Sequence, residues 1–454
     1  MDGGTMSAPL PEAFVARMRE QLGASESEAF FAALEGPALR GLRLNPRKPC
    51  REAIEGLREA VPWEPLGRYL PVESTAGSTV WHEAGAYYLQ EPSAMSPVSV
   101  LSPKPGERVL DLCAAPGGKS TQIAAYLGDE GLLVSNEPVP SRAQVLSRNV
   151  ERLGIPNALV VSMQPQALAE RWPAAFDAIL VDAPCSGEGM FRRHPETRLA
   201  WSEGSAAGCA SRQAMILDSA VRMLKPGGRL VYSTCTFSPE ENERTIRALL
   251  QRCPFLKPCP FSLSIGGSER LQAPDGMMRL YPHQVRGEGH FVALLHWPSG
   301  ESAQEATPFL PPCKALEKPD AQMAAAYSLL GAQWKSPYEA NAALGQTLLC
   351  APELPPLRGI RVLRAGVALG AMKGKLFFPD HALAMALPVP VEGVALTAQQ
   401  ARAYQAGETL PLEDGARGGF WPVTVSGLAL GFAKGSDSQL KNHYPKGLRR
   451  PDHS

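Results

Sequence analysis

No apolar run in this sequence approaches the ~20 residues that a membrane-spanning helix needs, so no membrane role is expected. Met1 to Gly23 lacks an apolar h-region and carries Asp2, Arg17, Arg19 and Glu20, so no secretory signal is expected either. None of the nine cysteines (50, 113, 185, 209, 235, 253, 259, 313 and 350) stands at CxxC spacing from another, and no histidine pair lies nearby at zinc spacing. No metal is therefore expected. An odd number of cysteines in a 454-residue chain also argues against a disulfide framework. The expectation is a cytoplasmic protein with reduced thiols, in which single cysteines become candidates for chemistry. Net charge is absent as well: 45 basic residues balance 45 acidic ones, so the global field announces no polyanionic partner.

What is present reads as a multidomain globular enzyme. The 44% of apolar residues can fill cores, which excludes disorder as the main theme, and the length predicts two to four domains. Basic islands interrupt the neutral average. Arg40, Arg43, Arg47, Lys48 and Arg51 form one; Arg358, Arg361, Arg364, Lys373 and Lys375 form a second; Lys441, Lys446, Arg449 and Arg450 form a third. Such islands are compatible with nucleic acid, and solvated surface is the competing reading.

Apolar spacing predicts a helix over Leu10–Leu34, after a loose end at Met1–Thr5, and a short strand at Arg40–Asn45. From Val109 onward, strands alternate with helices: strands at 109–113, 132–135, 158–162, 177–181, 229–233 and 289–296, helices at 120–127, 141–153, 206–224 and 240–251. Ser141 reads as the N-cap of the second of these helices. The alternation predicts a doubly wound, parallel α/β sheet. Residues 299–318 lose periodicity and contain three prolines, which predicts a linker. Beyond it, short strands such as 360–367 and 421–429 predict a small, mainly β module. The expected organisation is an extension at 1–75, a catalytic domain at 76–298, the linker, and a C-terminal region at 319–454.

Four motifs fall at predicted strand ends. Asp111-Leu112-Cys113-Ala114-Ala115-Pro116-Gly117-Gly118-Lys119-Ser120 occupies the first crossover, where doubly wound sheets bind ligands. It is not a P-loop, because Cys113 stands where GxxxxGK[ST] requires glycine. A nucleotide hydrolase is thereby disfavoured. Glu137 ends the second strand, where a carboxylate can accept both hydrogen bonds of a ribose diol. Asp182-Ala183-Pro184-Cys185 and Ser233-Thr234-Cys235-Thr236 end two further strands. Two cysteines at equivalent strand ends beside a ligand turn point to thiolate chemistry rather than packing, with Lys119 a source of stabilising charge.

DLCAAPGGKS, the NE pair, VDAPCSGEGMFRR and YSTCTFSPEEN resemble the RNA cytosine-5 methyltransferases of the Nol/Nop/Sun family. The resemblance extends from Ala84 to Met95 and through Arg279–His283 and Gly287–Val292. The tail Gly431–Leu448 is similar to the bacterial RsmF branch, which acts on 16S ribosomal RNA. The resemblance implies a class I methyltransferase sheet of seven strands, S-adenosyl-L-methionine as cofactor, and a PUA-like C-terminal RNA-binding domain. It implies that Cys235 attacks carbon-6 of cytosine, that Cys185 assists product release, and that Asp182 hydrogen-bonds the cytosine edge and helps protonate its ring nitrogen. Cofactor contacts carry over to Cys113, Ala114, Ala115, Pro116, Gly117, Gly118, Lys119, Glu137, Arg142 and Asp182.

The sequence departs from the family at Ser162-Met163-Gln164, where an acid near the adenine is common, and at Val139, where a polar residue is common. A target base must be delivered unstacked, which calls for a backbone grip and stacking surfaces. The island Arg40–Arg51, the loop Arg192-Arg193-His194 and the basic C-terminal stretches are candidates; for Trp63 and Tyr88, core packing competes with stacking. The expected partner is ribosomal RNA or the small ribosomal subunit, with the protein a monomer. A transfer-RNA cytosine-5 methyltransferase and a noncatalytic RNA-binding assembly factor are the rival readings.

Overall fold

The computed structural model describes residues 8–54, 56–57, 59–300, 305–411, 418–436 and 438–449. The loose end at Met1–Thr5, positions 301–304 of the expected linker, and Arg450 of the third basic island lie outside the described residues.

The catalytic sheet forms where the sequence has its continuous apolar runs. Strands β1 (Arg108–Asp111), β2 (Leu132–Asn136), β3 (Ala158–Val161), β4 (Phe176–Asp182) and β5 (Leu224–Thr234) run parallel to one another. Every residue of β2 and β3 is buried, as strands covered by helices on both faces require. Strands β6 (Met277–Leu280) and β7 (His290–His296) add antiparallel, and β7 pairs with β5. The order is β3-β2-β1-β4-β5-β7-β6, so β1 and β4 lie side by side at the sheet's centre.

Two strands beyond the expected seven join this sheet, making nine. Lys257–Pro258 pairs with β7. At the other edge, β8 (Val362–Ala365) runs antiparallel to β3, pairing Val362 with Val161 and Ala365 with Leu159. The sequence pattern assigns β8 to the C-terminal module, because sequence distance hides which sheet a lone four-residue strand completes. Residues 305–318, expected as a linker, also lie against this domain: Thr307 Oγ1 donates to Pro173 O over 2.7 Å, and Arg108 stacks on Phe309 at 3.8 Å.

The helix over Glu12–Glu35 is broken at Gly23, whose φ of 76° belongs to the left-handed region. Phe14, Met18, Phe30 and Leu34 bury one face against Phe191 and Phe237, beside the cysteine loops. The helix expected at Ser141 starts earlier, with Val139 as N-cap and Pro140 at its first turn. Proline's fixed φ suits that position and it needs no hydrogen-bond acceptor there. An N-terminal sheet orders Ala60–Val61, Glu64–Leu70, Arg40–Leu44 and Tyr87–Leu89. The C-terminal region holds a four-stranded and a five-stranded sheet, with helices at Ala321–Gln333, His381–Ala386 and Ala398–Ala406. Among the described residues no helix is long and apolar enough to cross a membrane.

Candidate active site

The carboxyl ends of β1, β2, β4 and β5 converge on one cavity of about 590 Å³. Its walls include Cys113, Ala115, Glu137, Arg142, Asp182, Cys185 and Cys235. Of the motif residues singled out from sequence, Ala114, Pro116, Gly117, Gly118 and Lys119 are not in its wall. They shape it from behind. Gly117 has φ 116°, and a Cβ there would meet Leu146 Cδ1 at 3.2 Å, so glycine serves the turn and its packing on the next helix. A Cβ on Gly118 would meet Tyr88 at 3.3 Å. Pro116 O accepts from Asn149 Nδ2 over 2.9 Å, and the Ala114 amide donates to Asn136 O over 2.9 Å.

Asp182 is the electrostatic centre. Lys119 Nζ donates to Oδ2 over 2.7 Å and Ser233 Oγ donates to Oδ1 over 2.7 Å, while His290 Nε2 lies 3.7 Å from Oδ1. Burial works to raise this carboxyl, but the Lys119 ammonium and His290 outweigh it and hold the group well below the usual carboxylate range. Asp182 is thus an acceptor toward Lys119 and Ser233. Asp111, directly behind the turn, behaves in the opposite way. It is fully buried, accepts only from Ser120 Oγ on Oδ2 at 2.7 Å, and its Oδ1 is without a partner among the described residues. Burial pushes its carboxyl up to about 7.

The two cysteines meet. Cys185 Sγ and Cys235 Sγ lie 3.3 Å apart. The S–H···S contact, burial and the nearby Glu241 charge push the Cys185 thiol well above the usual range, so it remains the protonated partner. Gly189 N donates to Cys235 O over 2.8 Å, which ties the two loops through their backbones. A Cβ on Gly189 would meet that oxygen at 2.9 Å. Burial likewise pushes the Cys113 thiol up, away from reactivity.

At the far end, Glu137 accepts from Val139 N on Oε1 at 2.9 Å and faces Arg142 Nη1 at 3.4 Å. Arg142 also donates to Ala115 O over 3.0 Å, bridging the first two strand ends. Gln164, Pro138 and Pro165 complete this end, with no carboxylate where the family often has one. The cavity's size, its carboxylate at the second strand end and the amide edge of Gln164 suit an adenosine-bearing cofactor.

Sequence reasoning missed several residues that build the site. Arg212, Met215 and Ile216, from the helix Glu203–Met223, line the cavity, and helical spacing alone did not mark them. Ser233 and His290 sat inside quoted motifs without an assigned part. Conversely, three expected RNA contacts are structural. Arg43 is 1% exposed and donates to Gln90, Gly118 O, Thr121 O and Thr121 Oγ1. Lys48 donates to Ala84 O and Arg152 O. Arg192 pairs with Glu288 at 2.6 Å and caps Ala33 O and Gly287 O. Arg193 and His194 stay exposed, whereas Trp63 and Tyr88 are buried in the core.

Family models cover the chain in sequence order. They are described as the N-terminal domain of 16S rRNA methyltransferase RsmF (residues 10–92), 16S rRNA methyltransferase RsmB/F (98–296), the first C-terminal domain of RsmF rRNA methyltransferase (333–387) and the methyltransferase RsmF PUA domain (392–450). Ribosomal RNA small subunit methyltransferase F of Klebsiella pneumoniae is 35% identical over 469 residues, spanning 97% of this chain and 96% of the relative. The Enterobacter protein of the same description is 34% identical, spanning 97% and 96%. Among solved structures, PH0851 is 30% identical with a TM-score of 0.58, covering 63% of this chain and 66% of that one. NSun6 from Pyrococcus horikoshii, solved with SFG, shares the fold at 23% identity and a TM-score of 0.56, covering 64% and 99%. The likeness runs through every module and nearly end to end, and on it the chain belongs to the bacterial RsmF family of 16S ribosomal RNA methyltransferases, whose methyl donor is S-adenosylmethionine.

Proposed function

We propose that this enzyme methylates carbon-5 of a cytosine in 16S ribosomal RNA through a covalent adduct on Cys235. The observation that carries the reading is the 3.3 Å approach of Cys185 and Cys235 inside the cavity that also holds Glu137 and Asp182. Cytosine carbon-5 is a weak nucleophile. A Cys235 thiolate adding to carbon-6 breaks the 5,6 double bond and makes carbon-5 electron-rich. S-adenosylmethionine, when bound, supplies the electrophilic methyl group. Asp182, held ionised, accepts from the amino edge of the base and fixes its orientation. Loss of the carbon-5 proton to water then leaves its bonding pair to re-form the 5,6 double bond as the Cys235 sulfur departs with the C6–S pair. Cys185, beside that sulfur and protonated, is placed to assist its departure.

The cofactor reading assigns the ribose hydroxyls to Glu137, with Arg142 orienting its carboxylate. It assigns the methionine part to the turn from Cys113 to Lys119, through Cys113 and Ala115 in the cavity wall with the rest of the turn behind them, and the adenine to Gln164. RNA grip falls to the exposed Arg193 and to the C-terminal region, working as a cytoplasmic monomer. The same reading starts from the division at 1–75, 76–298, 299–318 and 319–454, but Tyr87–Leu89 completes the N-terminal sheet, and Val362–Ala365 of the last part completes the catalytic one. Bisulfite sequencing of 16S RNA tests the proposal. A strain lacking the gene should lose one protected cytosine, regained with the wild-type gene and not with Cys235→Ala. An unchanged protection pattern in the deletion strain refutes it.

A further inference from the structure

Glu241 is fully buried and, among the described residues, forms no ion pair. Glu188 is equally buried but has Arg17 Nη2 at 2.7 Å. A buried carboxylate without a cation is costly, so what holds it there is informative. Three donors do. Ser186 N reaches Oε2 at 2.9 Å, Ser186 Oγ reaches Oε1 at 2.5 Å, and Gln213 Nε2 reaches Oε2 at 3.0 Å. Both oxygens are thus occupied as acceptors: burial pushes the carboxyl up, and the hydrogen bonds from Ser186 and Gln213 work against that push.

These donors adjoin the reacting sulfurs. Ser186 follows Cys185, and Thr236 follows Cys235. Ser186 Oγ spends its proton on Glu241, so the 2.8 Å contact between Ser186 Oγ and Thr236 Oγ1 must be donated by Thr236. A directed chain therefore runs from Thr236 through Ser186 to Glu241, one residue beyond the sulfur pair. Gln213 extends the grip to Pro184 O, just before Cys185, at 3.0 Å. Glu241 is fixed in turn by Tyr232, whose hydroxyl donates to its carbonyl over 2.6 Å.

We infer that Glu241 is a positioning residue that divides the labour between the two cysteines: held by Ser186 and Gln213, it clamps the Cys185 loop against the Cys235 loop and so keeps Cys185 behind Cys235 in reactivity. The inference rests on the adduct mechanism for its purpose, but its geometry does not. The Glu241 charge is among the causes that hold the Cys185 thiol high.

The test needs no RNA. The full-length protein is alkylated with limiting iodoacetamide at one pH, and labelling of Cys185 and Cys235 is counted by mass spectrometry. Glu241→Gln keeps the volume but removes the charge and replaces one acceptor by a donor. The Cys185 to Cys235 labelling ratio should rise severalfold as the clamp on the Cys185 loop is released. S-adenosylmethionine affinity should stay at its wild-type value, since Glu241 lies outside the cavity wall. Ser186→Ala cuts the chain without touching Glu241, and it should raise the ratio in the same direction. It also serves if Glu241→Gln fails to fold. An unchanged ratio in a folded variant overturns the inference, as does a loss of cofactor affinity in step with labelling of both cysteines, which marks a merely structural residue. If the ratio shifts while 16S RNA carries no 5-methylcytosine, the clamp stands and the adduct mechanism falls.

Discussion

Lys119 donates to Asp182 across 63 residues of sequence, Nζ to Oδ2 at 2.7 Å, and so couples the cofactor turn to the floor of the base pocket. Burial alone would raise the Asp182 carboxyl; the ammonium reverses the sign. Lys119→Met should therefore raise the Asp182 pKa and move any acid limb of methyl transfer that depends on Asp182 to higher pH than in the wild type. Leaving this group short of its donor costs about 1–3 kcal/mol. Rate against pH for the two proteins checks it, and superimposable profiles would contradict it.

Cys235→Ala should abolish both methyl transfer and any covalent adduct. Cys185→Ala should form the Cys235–RNA bond without resolving it, giving a shifted band on a denaturing gel that vanishes in the double mutant. A band that survives in Cys235→Ala and is lost in Cys185→Ala would reverse the roles.

Glu137→Ala should weaken S-adenosylmethionine by about 1–3 kcal/mol, the cost of unpairing buried polar groups. ATP should bind the wild type negligibly, since the turn has no phosphate-cradling glycine at Cys113. Calorimetry with both ligands decides. Tight ATP binding without a response to S-adenosylmethionine would sink the cofactor assignment.

Two arginines of similar appearance in the sequence should behave oppositely. Arg43→Ala strips donors from several buried acceptors and should cost about 3 kcal/mol or more in urea melts. Arg193→Ala should leave the melt unchanged, weaken RNA binding and lower the salt slope by about 0.9. A destabilised Arg193→Ala, or a fully stable Arg43→Ala, would refute the division between them.

Acid sensitivity should appear where the C-terminal region meets the catalytic domain. Glu151 pairs with Arg364 and accepts from His381 Nδ1 at 2.7 Å. Burial favours its neutral form, yet these partners bring its pKa down to about 2. A lowered carboxylate pKa stabilises the fold above the unfolded value near ~4.3 and loses that contribution as pH falls toward 2, here about 3 kcal/mol. The stability gap between wild type and Glu151→Gln should be full at pH 6 and close progressively below pH 4.5. A gap independent of pH would show that the pair does not stabilise folding through charge.

The sheet and its strand-end site were legible because they rest on local signals: unbroken apolar runs such as Leu132–Ser135, glycine at a turn, and chemistry-bearing residues at fixed offsets from strand ends. The hidden part depends on distant partners. Nothing near Arg43 in sequence shows that Gln90 and Thr121 will accept its hydrogen bonds, so it reads as surface charge. Nothing near Val362 shows that Val161 is its ladder partner. Glu241 was quoted as part of a motif, but its meaning lies in Ser186, 55 positions earlier. The grip on RNA is hardest to read, since exposed cations such as Arg193 bear no mark of their ligand.

The antiparallel pairing of Val362–Ala365 with Ala158–Val161 has a mechanical consequence. Ladder hydrogen bonds do not stretch, and Ala342, Leu349, Leu354 and Ala365 share one apolar cluster with Leu159, Val161 and Trp172 of the catalytic domain. The first C-terminal module, to which these residues belong, is accordingly an outrigger fixed to the catalytic sheet rather than a tethered hand. An RNA held on that outrigger would meet the cysteine pair at a set distance and angle, so selection among cytosines becomes a matter of span. Cutting the chain after Pro298 would remove the ruler together with the edge of the sheet that carries it.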